Sequence, residues 1–131
     1  KRPGHINQRS PGAMMDRMDR LQKALDFAGN THSLADIAES TKRGEAEWWR
    51  GENSDVLTEF YEYPLSGRAC RVWLASGDMR ECLRIYDDIE KWARRNNAER
   101  MEIVGRKGWR RVMARRGFNT AGEALVKGLA S

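Results

Sequence analysis

The sequence predicts an α+β domain built on a mixed sheet. Three observations predict it: three strand-like stretches separated by brief turns, one long amphipathic segment, and a further apolar strand after that segment. Short turns between successive strands imply an antiparallel meander, whereas a strand reached through a long helix should run parallel to the strand before that helix. At 131 residues the chain has the length of one domain with an appended arm.

The chain begins with a predicted arm and helix. Residues 1–9 hold a proline, a glycine and one aliphatic side chain, which favours an extended arm. Ser10 is a plausible N-cap before Pro11, and Gly29 ends the helix. Its narrow apolar seam is formed by Met14, Met18, Leu21, Leu25 and Ala28. We therefore divide the chain into an arm with a docking helix, residues 1–30, and a domain, residues 31–131.

The narrow seam of this helix has two interpretations. A strict seam is what a helix presents to a single partner surface. The seam either docks on the rest of this chain, or the adaptable side chains Met14, Met15 and Met18 grip another protein. We carry these three methionines forward as candidate partner-binding residues.

A second helix and three strands follow. Ser33 and Asp36 have the spacing of a capping box, and Gly44 stops the helix. Strands are predicted over 45–50, 55–63 and 69–75, with turns of glycine, proline, asparagine and serine between them. In the third strand one face, with Cys70, Val72 and Leu74, should be buried, and the other should carry Arg71, Trp73 and Ala75.

The second half of the chain is predicted to hold the longest helix and the last strands. Ser76-Gly77-Asp78 forms a turn, and apolar residues from Met79 to Ala93 follow helical spacing with a broad face that lies on the sheet. A fourth strand is predicted over 100–106, parallel to the third. A short helix around Trp109 ends at Gly117-Phe118, and the tail supplies one more strand near 124–129.

The composition of the chain limits the classes of protein to which it can belong. Lys and Arg number 24 against 19 Asp and Glu, a formal charge of +5, which indicates a soluble surface with a basic bias. No apolar run approaches the ~20 residues that span a bilayer, so we expect no membrane partner. We expect Cys70 and Cys82 to be buried reduced thiols, and His5 and His32 lie too far apart to suggest a metal site.

The order of these elements resembles that of the Gcn5-related N-acetyltransferases. The stretch Glu102–Phe118, "EIVGRKGWRRVMARRGF", resembles the end of that domain, where a strand leads into a helix and a Gly-Phe pair. The resemblance implies a mostly antiparallel twisted sheet with helices on both faces, and acetyl-CoA as cofactor. The chain looks most like small acetyltransferase-like proteins encoded among bacteriophage head and tail genes, some similar to internal virion proteins. That likeness implies phage structural proteins as partners and the virion or host cytoplasm as location.

The turn before the longest helix departs from the family's pattern. The family holds the pyrophosphate of acetyl-CoA with Arg/Gln-x-x-Gly-x-Gly/Ala, whereas this chain offers "SGDMRECL" with Gly77 alone. We expect Asp78 to cap the helix with Glu81 as its capping-box partner. At ~4 Å and an effective dielectric near 20, each contact with a phosphate charge would cost about 4 kcal/mol. The turn is therefore predicted to be closed to CoA; if the cofactor did bind, Gly77, Asp78 and Met79 would hold it.

Catalytic residues are hard to nominate. The given sequence is predicted to start with an arm and a helix where the resemblance implies the family's first strand, so we expect a wall of the acceptor site to be missing. Glu59, Glu62 and Tyr86 could serve as a base or an acid, but a solvated strand carboxylate or a core tyrosine is the more ordinary role for each. We therefore predict no catalytic residue and no cofactor.

Arginines crowd the last third of the chain beside Trp92 and Trp109. They either form a solvated helix face, contact nucleic acid, or pair with carboxylates on a protein partner. Acidic residues nearby in sequence favour the protein partner. The candidate partner-binding residues here are Arg106, Lys107, Arg110, Arg111 and Arg115.

The function predicted from the sequence is a non-catalytic, acetyltransferase-like interaction protein, a phage virion or assembly component that docks on a larger complex. The alternatives are a divergent acyl-CoA-dependent N-acetyltransferase and a basic accessory protein that binds phage DNA or inhibits a host protein.

Overall fold

The fold was determined from a computed structural model. It describes residues 11–104, 108–121 and 124–129, and for residues 11–15 the backbone alone. The elements are α1 (Pro11–Phe27), α2 (Leu34–Lys42), β1 (Glu47–Arg50), β2 (Ser54–Tyr63), β3 (Gly67–Gly77), α3 (Met79–Arg95), β4 (Arg100–Val104), α4 (Gly108–Ala114), β5 (Asn119–Ala121) and β6 (Ala124–Gly128).

Six strands form one mixed sheet in the order β1-β2-β3-β4-β6-β5. Among the described strands only β3 and β4 pair in parallel, and the other neighbours are antiparallel. This arrangement confirms the predicted meander, the parallel fourth strand and the α+β class. The sequence did not reveal β5, because its three residues are exposed and leave no pattern of burial.

Helices cover both faces of the sheet, as expected. On one face α1 and α2 enclose a small core around Leu25, Ile37 and Leu57. On the other face α3 and α4 enclose the larger core, which includes Ile89 and Met113. The two cysteines, Cys70 and Cys82, are buried free thiols in that larger core, which confirms their predicted role.

A β-bulge overturns the predicted facing of the third strand. Leu57 pairs with Leu74, but the next residue of β2, Thr58, pairs with Val72, so that Trp73 is the extra residue of β3. An extra residue reverses the alternation of side chains beyond it. Val72 therefore packs beneath α3, whereas Leu74 packs beneath α1 and α2. The expectation that both share one buried face was wrong, because strict alternation assumes an uninterrupted strand.

The seam of α1 packs against this chain. Leu21, Ala24 and Leu25 are buried, and Met18 is half-buried against the same small core. These residues therefore dock on the rest of this chain, which was the first interpretation of the seam. The side chains of Met14 and Met15 lie outside the described part of the structure, so their role in binding a partner stays a prediction.

A buried ion pair ties α1 to the start of β2. The Arg17 guanidinium is fully buried and pairs with the equally buried Asp55 carboxylate. Its Nη1 also donates to the carbonyl oxygen of Ser54 at 3.1 Å, and its Nη2 to that of Gly51 at 2.5 Å. The indole Nε1 of Trp48 donates to Asp55 at 2.9 Å. Because a buried charge must be paired, α1 cannot leave the sheet without exposing or orphaning Asp55.

Candidate functional site

A cleft opens in the sheet where β3 and β4 part. The two strands pair only over Ala69–Val72 and Arg100–Ile103, although β3 continues to Gly77. Past Val72 no described strand pairs with this edge of β3. The bulge at Trp73 lies directly at the point of separation, and bulges bend the strand that carries them. The bend thus accounts for the parting of the strands.

A cavity of about 400 Å³ occupies the cleft. Its walls include residues of both cores, such as Val72 and Tyr86 from the α3 side and Leu74 from the α1 side. It therefore reaches both faces of the sheet. Most of the wall is apolar, and it is completed by Ala24, Phe27, Ile103, Val104 and Trp109.

A second cavity of about 370 Å³ adjoins the first. The two share four wall residues, Ala24, Ala75, Cys82 and Trp109. We refer to the two together as the β3–β4 groove. The second cavity is the more polar end, because its walls add Arg20, Lys23, Ser76, Gly77 and Met79.

The turn between β3 and α3 is packed against the β1–β2 turn. Gly77 has a φ of 104°, and a Cβ there would collide with the backbone of Asn53 and Ser54. The N–H of Asp78 donates to the carbonyl oxygen of Asn53 at 3.3 Å and to Ser54 Oγ at 3.1 Å. The close approach that Gly77 permits is therefore made to the protein's own backbone.

Two carboxylates occupy the start of α3. Asp78 caps the helix by accepting from the N–H of Glu81 at 3.1 Å, as predicted. The capping-box half of that prediction was wrong, because the N–H of Asp78 is already bonded to Asn53 and Ser54. Glu81 instead accepts from the N–H groups of Glu52 at 2.9 Å and Asn53 at 2.8 Å.

The Glu81 carboxylate is held in its charged form. Partial burial alone would raise its pKa, but hydrogen bonds from Ser54, Asn53 and Glu52 hold the pKa below its ordinary value. The N–H groups of Asp78, Glu81 and Cys82 are bonded within the protein. The two carboxylates and these bonded N–H groups make the turn unfavourable for the pyrophosphate of CoA, which is held by free N–H groups and repelled by nearby carboxylates.

The nominated catalytic residues are not assembled around the groove. Tyr86 lines the first cavity, but its hydroxyl donates to Glu90 at 2.7 Å. Burial and the neighbouring Glu90 raise the pKa of Tyr86 far above its ordinary value, so it stays protonated. Glu62 is exposed and pairs with Arg68 at 2.6 Å, and neither Glu62 nor Glu59 lines either cavity.

Sequence reasoning missed the place of Cys82 in the groove wall. Its thiol donates to the carbonyl oxygen of Ser76 at 3.6 Å, and burial raises its pKa to about 11. A thiol with that pKa is almost entirely protonated at neutral pH and is a poor nucleophile. Within the described residues, no group of three His, Cys, Asp or Glu side chains is placed to hold a metal ion.

The basic end of the chain forms an exposed face on α4. Arg110, Arg111 and Arg115 are exposed, and Arg116 pairs with Asp87 of α3 through two bonds of 3.0 and 3.2 Å. Trp109 is half-buried in the groove wall. Arg106 and Lys107 lie outside the described residues, so their predicted role is untouched. No described helix is long and apolar enough to cross a bilayer.

Comparison with solved structures supports the fold. No family model matches the chain, and no curated protein matches it. Among solved structures, the chain is similar to a candidate acetyltransferase from Staphylococcus aureus Mu50, with a TM-score of 0.62 and 12% identity over 88% of this chain and 93% of that one. It is also similar to a chain of the NatC complex solved with Gag peptide and CoA, with a TM-score of 0.64 and 8% identity over 95% and 96%. The chain thus has a fold like that of the Gcn5-related N-acetyltransferases.

Proposed function

We propose that this chain is a non-catalytic protein with an acetyltransferase-like fold, which acts by binding an acidic protein surface within a larger assembly. The observation that carries the proposal is the β3–α3 turn. The family places a pyrophosphate at this turn, and in this chain the turn carries two carboxylates, Asp78 and Glu81, that accept hydrogen bonds from the protein's own backbone.

The groove also lacks the groups that acyl transfer needs. A transfer to an amine requires a base near the amine and an acid near the leaving thiolate. Tyr86 could act only as an acid, and its hydroxyl is directed to Glu90. Among the described wall residues none is a carboxylate or a histidine, the groups that most often act as the base.

The exposed arginines of α4 support the binding role. Arg110 and Arg111 lie on α4 and Arg115 follows it directly; all three are exposed, whereas Arg116 is already paired with Asp87. Guanidinium groups make bidentate bonds to carboxylates and lose less side-chain freedom per bond than lysines do. An acidic patch on another protein is the surface that complements this face.

Titration of acetyl-CoA into the full chain tests the loss of cofactor binding. We expect no heat of binding up to about millimolar cofactor. A micromolar dissociation constant would instead favour the second candidate, a divergent acyl-CoA-dependent N-acetyltransferase, whose one supporting observation is the cleft between β3 and β4.

Copurification tests the binding role. We compare the intact chain with the double variant R110Q/R111Q and with a control, K42Q/K91Q, that removes the same charge from exposed positions elsewhere. The arginine variant should lose a partner that the control keeps, and the partner should present an acidic surface. If both variants lose the partner, or neither does, the α4 face is not the binding surface. If the chain instead retains double-stranded DNA with a steep salt dependence, the nucleic-acid alternative is favoured.

The phage virion setting and the location in virion or host cytoplasm stay predictions of the resemblance. Deleting residues 1–28 is unsuitable as a test of the arm, since it removes Arg17, Leu21 and Leu25 from the core. Deleting residues 1–10 leaves those contacts in place and tests the arm alone.

A further inference from the structure

Two buried donor atoms at the polar end of the β3–β4 groove have no hydrogen-bond partner among the described residues. They are Arg20 Nε and Ser76 Oγ, and both residues line the second cavity. A buried donor left unpaired costs about 1–3 kcal/mol, so such atoms are usually satisfied by a ligand, an ion or water. Both atoms can donate to an oxygen of a bound molecule.

The same end of the groove is positively charged. Arg20 and Lys23 lie one helical turn apart on α1 and line the second cavity together. Arg20 Nη2 forms an ion pair with Asp55 Oδ2 at 3.7 Å, which is beyond hydrogen-bond distance, whereas Arg17 and Trp48 bond Asp55 Oδ1; Arg20 Nε takes no part in this pair. The guanidinium of Arg20 therefore keeps donors for another acceptor.

A ligand group with a single negative charge fits the polar end of the groove. Asp55 lies behind Arg20, and Asp78 and Glu81 follow Gly77 at the start of α3. A doubly charged phosphate would be repelled by these carboxylates more strongly than a singly charged group. A carboxylate offers two oxygens with one charge, which matches the two unpaired donors and the two cations.

The other end of the groove is apolar and has the volume of a ligand site. The first cavity measures about 400 Å³, within the range of about 300–1,000 Å³ typical of small-molecule pockets. Val72, Leu74, Ile103 and Trp109 supply an apolar wall. Burying an apolar tail here contributes about 25 cal/mol per Å² removed from water.

We propose that the β3–β4 groove binds a small carboxylate with an unbranched apolar tail, of the class of medium-chain fatty acids. The carboxylate lies at Arg20, Lys23 and Ser76, and the tail extends past Ala75 into the first cavity. This site includes Ser76 of the β3–α3 turn, but it uses neither the carboxylates of Asp78 and Glu81 nor the arginines of α4, so it is separate from the proposed docking function.

Calorimetric titration of the full chain with decanoate below its micellar concentration tests the ligand class. Decanoate should bind, and decanol, with the same tail and no charge, should bind at least about tenfold more weakly, as expected for one lost charge-assisted hydrogen bond. Decylamine should be weaker still. Equal binding of decanoate and decanol would overturn the carboxylate assignment, and absence of decanoate binding would overturn the site.

Two variants locate the bound molecule. Lys23→Ala should weaken decanoate several-fold and leave decanol unchanged, whereas Lys42→Ala, an exposed lysine of α2, should change neither. Ala75→Phe should fill the junction of the two cavities and abolish binding, with circular dichroism as the check that the chain is folded. Unaltered decanoate affinity in Lys23→Ala, or in a folded Ala75→Phe protein, would contradict the placement.

Discussion

Removing the guanidinium of Arg17 should destabilise the fold in a way that depends on pH. The change Arg17→Met keeps much of the side-chain volume but leaves the fully buried Asp55 carboxylate with Trp48 as its remaining strong donor. Breaking a buried ion pair from one side typically costs about 3–5 kcal/mol. The carbonyl oxygens of Gly51 and Ser54 also lose their donor.

Protonation of Asp55 sets an upper limit on the electrostatic part of this cost. Burial already raises the pKa of Asp55 in the native protein, against the hydrogen bonds from Trp48 and Arg17. Without Arg17 the carboxyl can take a proton, which at pH 7 costs about 4 kcal/mol from a reference pKa of about 3.9. A folded-state pKa raised above the unfolded value gives stability that is present at low pH and lost as pH rises. The variant should therefore recover up to about 2.7 kcal/mol between pH 7 and pH 5.

Urea denaturation of native and variant protein at both pH values measures this effect. The double variant R17M/D55L, which removes both charges, should be more stable at pH 7 than R17M alone, since no carboxylate is left buried. A loss below about 1 kcal/mol for R17M at pH 7, or the same loss at pH 5, would refute the reasoning that Asp55 is a buried charge held by α1.

Three further changes test other contacts by the same denaturation assay. Gly77→Ala should cost more than about 1 kcal/mol, because φ is positive and the new Cβ meets the backbone of Asn53, whereas Gly29→Ala, with the same sign of φ and open space, should cost less. Leu25→Ala should cost about 2–5 kcal/mol, and a smaller loss would show that α1 is not part of the core. Burial alone would raise the pKa of Glu102, but hydrogen bonds from Tyr63, Arg100 and Arg71 hold it below its ordinary value, so its stabilising effect should fade as pH falls below about 4.3. Glu102→Gln should reduce that acid dependence, and an unchanged pH profile would count against the assignment.

Much of the fold could be predicted from short-range patterns in the sequence. The helix caps at Ser33 and Asp78 depend on residues close together in the chain, and both were predicted correctly. The parallel pairing of β3 and β4 followed from the length of α3 alone. Each of these features is decided by neighbours along the sequence.

The groove could not be predicted in the same way. The bulge at Trp73 depends on how β2 pairs with β3, and no residue within β3 indicates it from the sequence alone. Glu81 accepts two hydrogen bonds from the β1–β2 turn, from residues that lie 29 and 28 positions before it in the chain. No short-range spacing in the sequence could have indicated them. Arg20 and Lys23 share a helix face with Ala24 and Phe27. This spacing could have indicated from the sequence that two cations lie beside an apolar surface.

The extra residue at Trp73 makes the length of β3 as important as its composition. Deleting Trp73 would let Leu74 follow Val72 directly, so Leu74 would still pair with Leu57 and face α1, but the smaller core would lose the half-buried indole. It would also straighten the strand and close the opening beside β4. A change of one residue in the length of this strand would therefore alter the smaller core and the opening together.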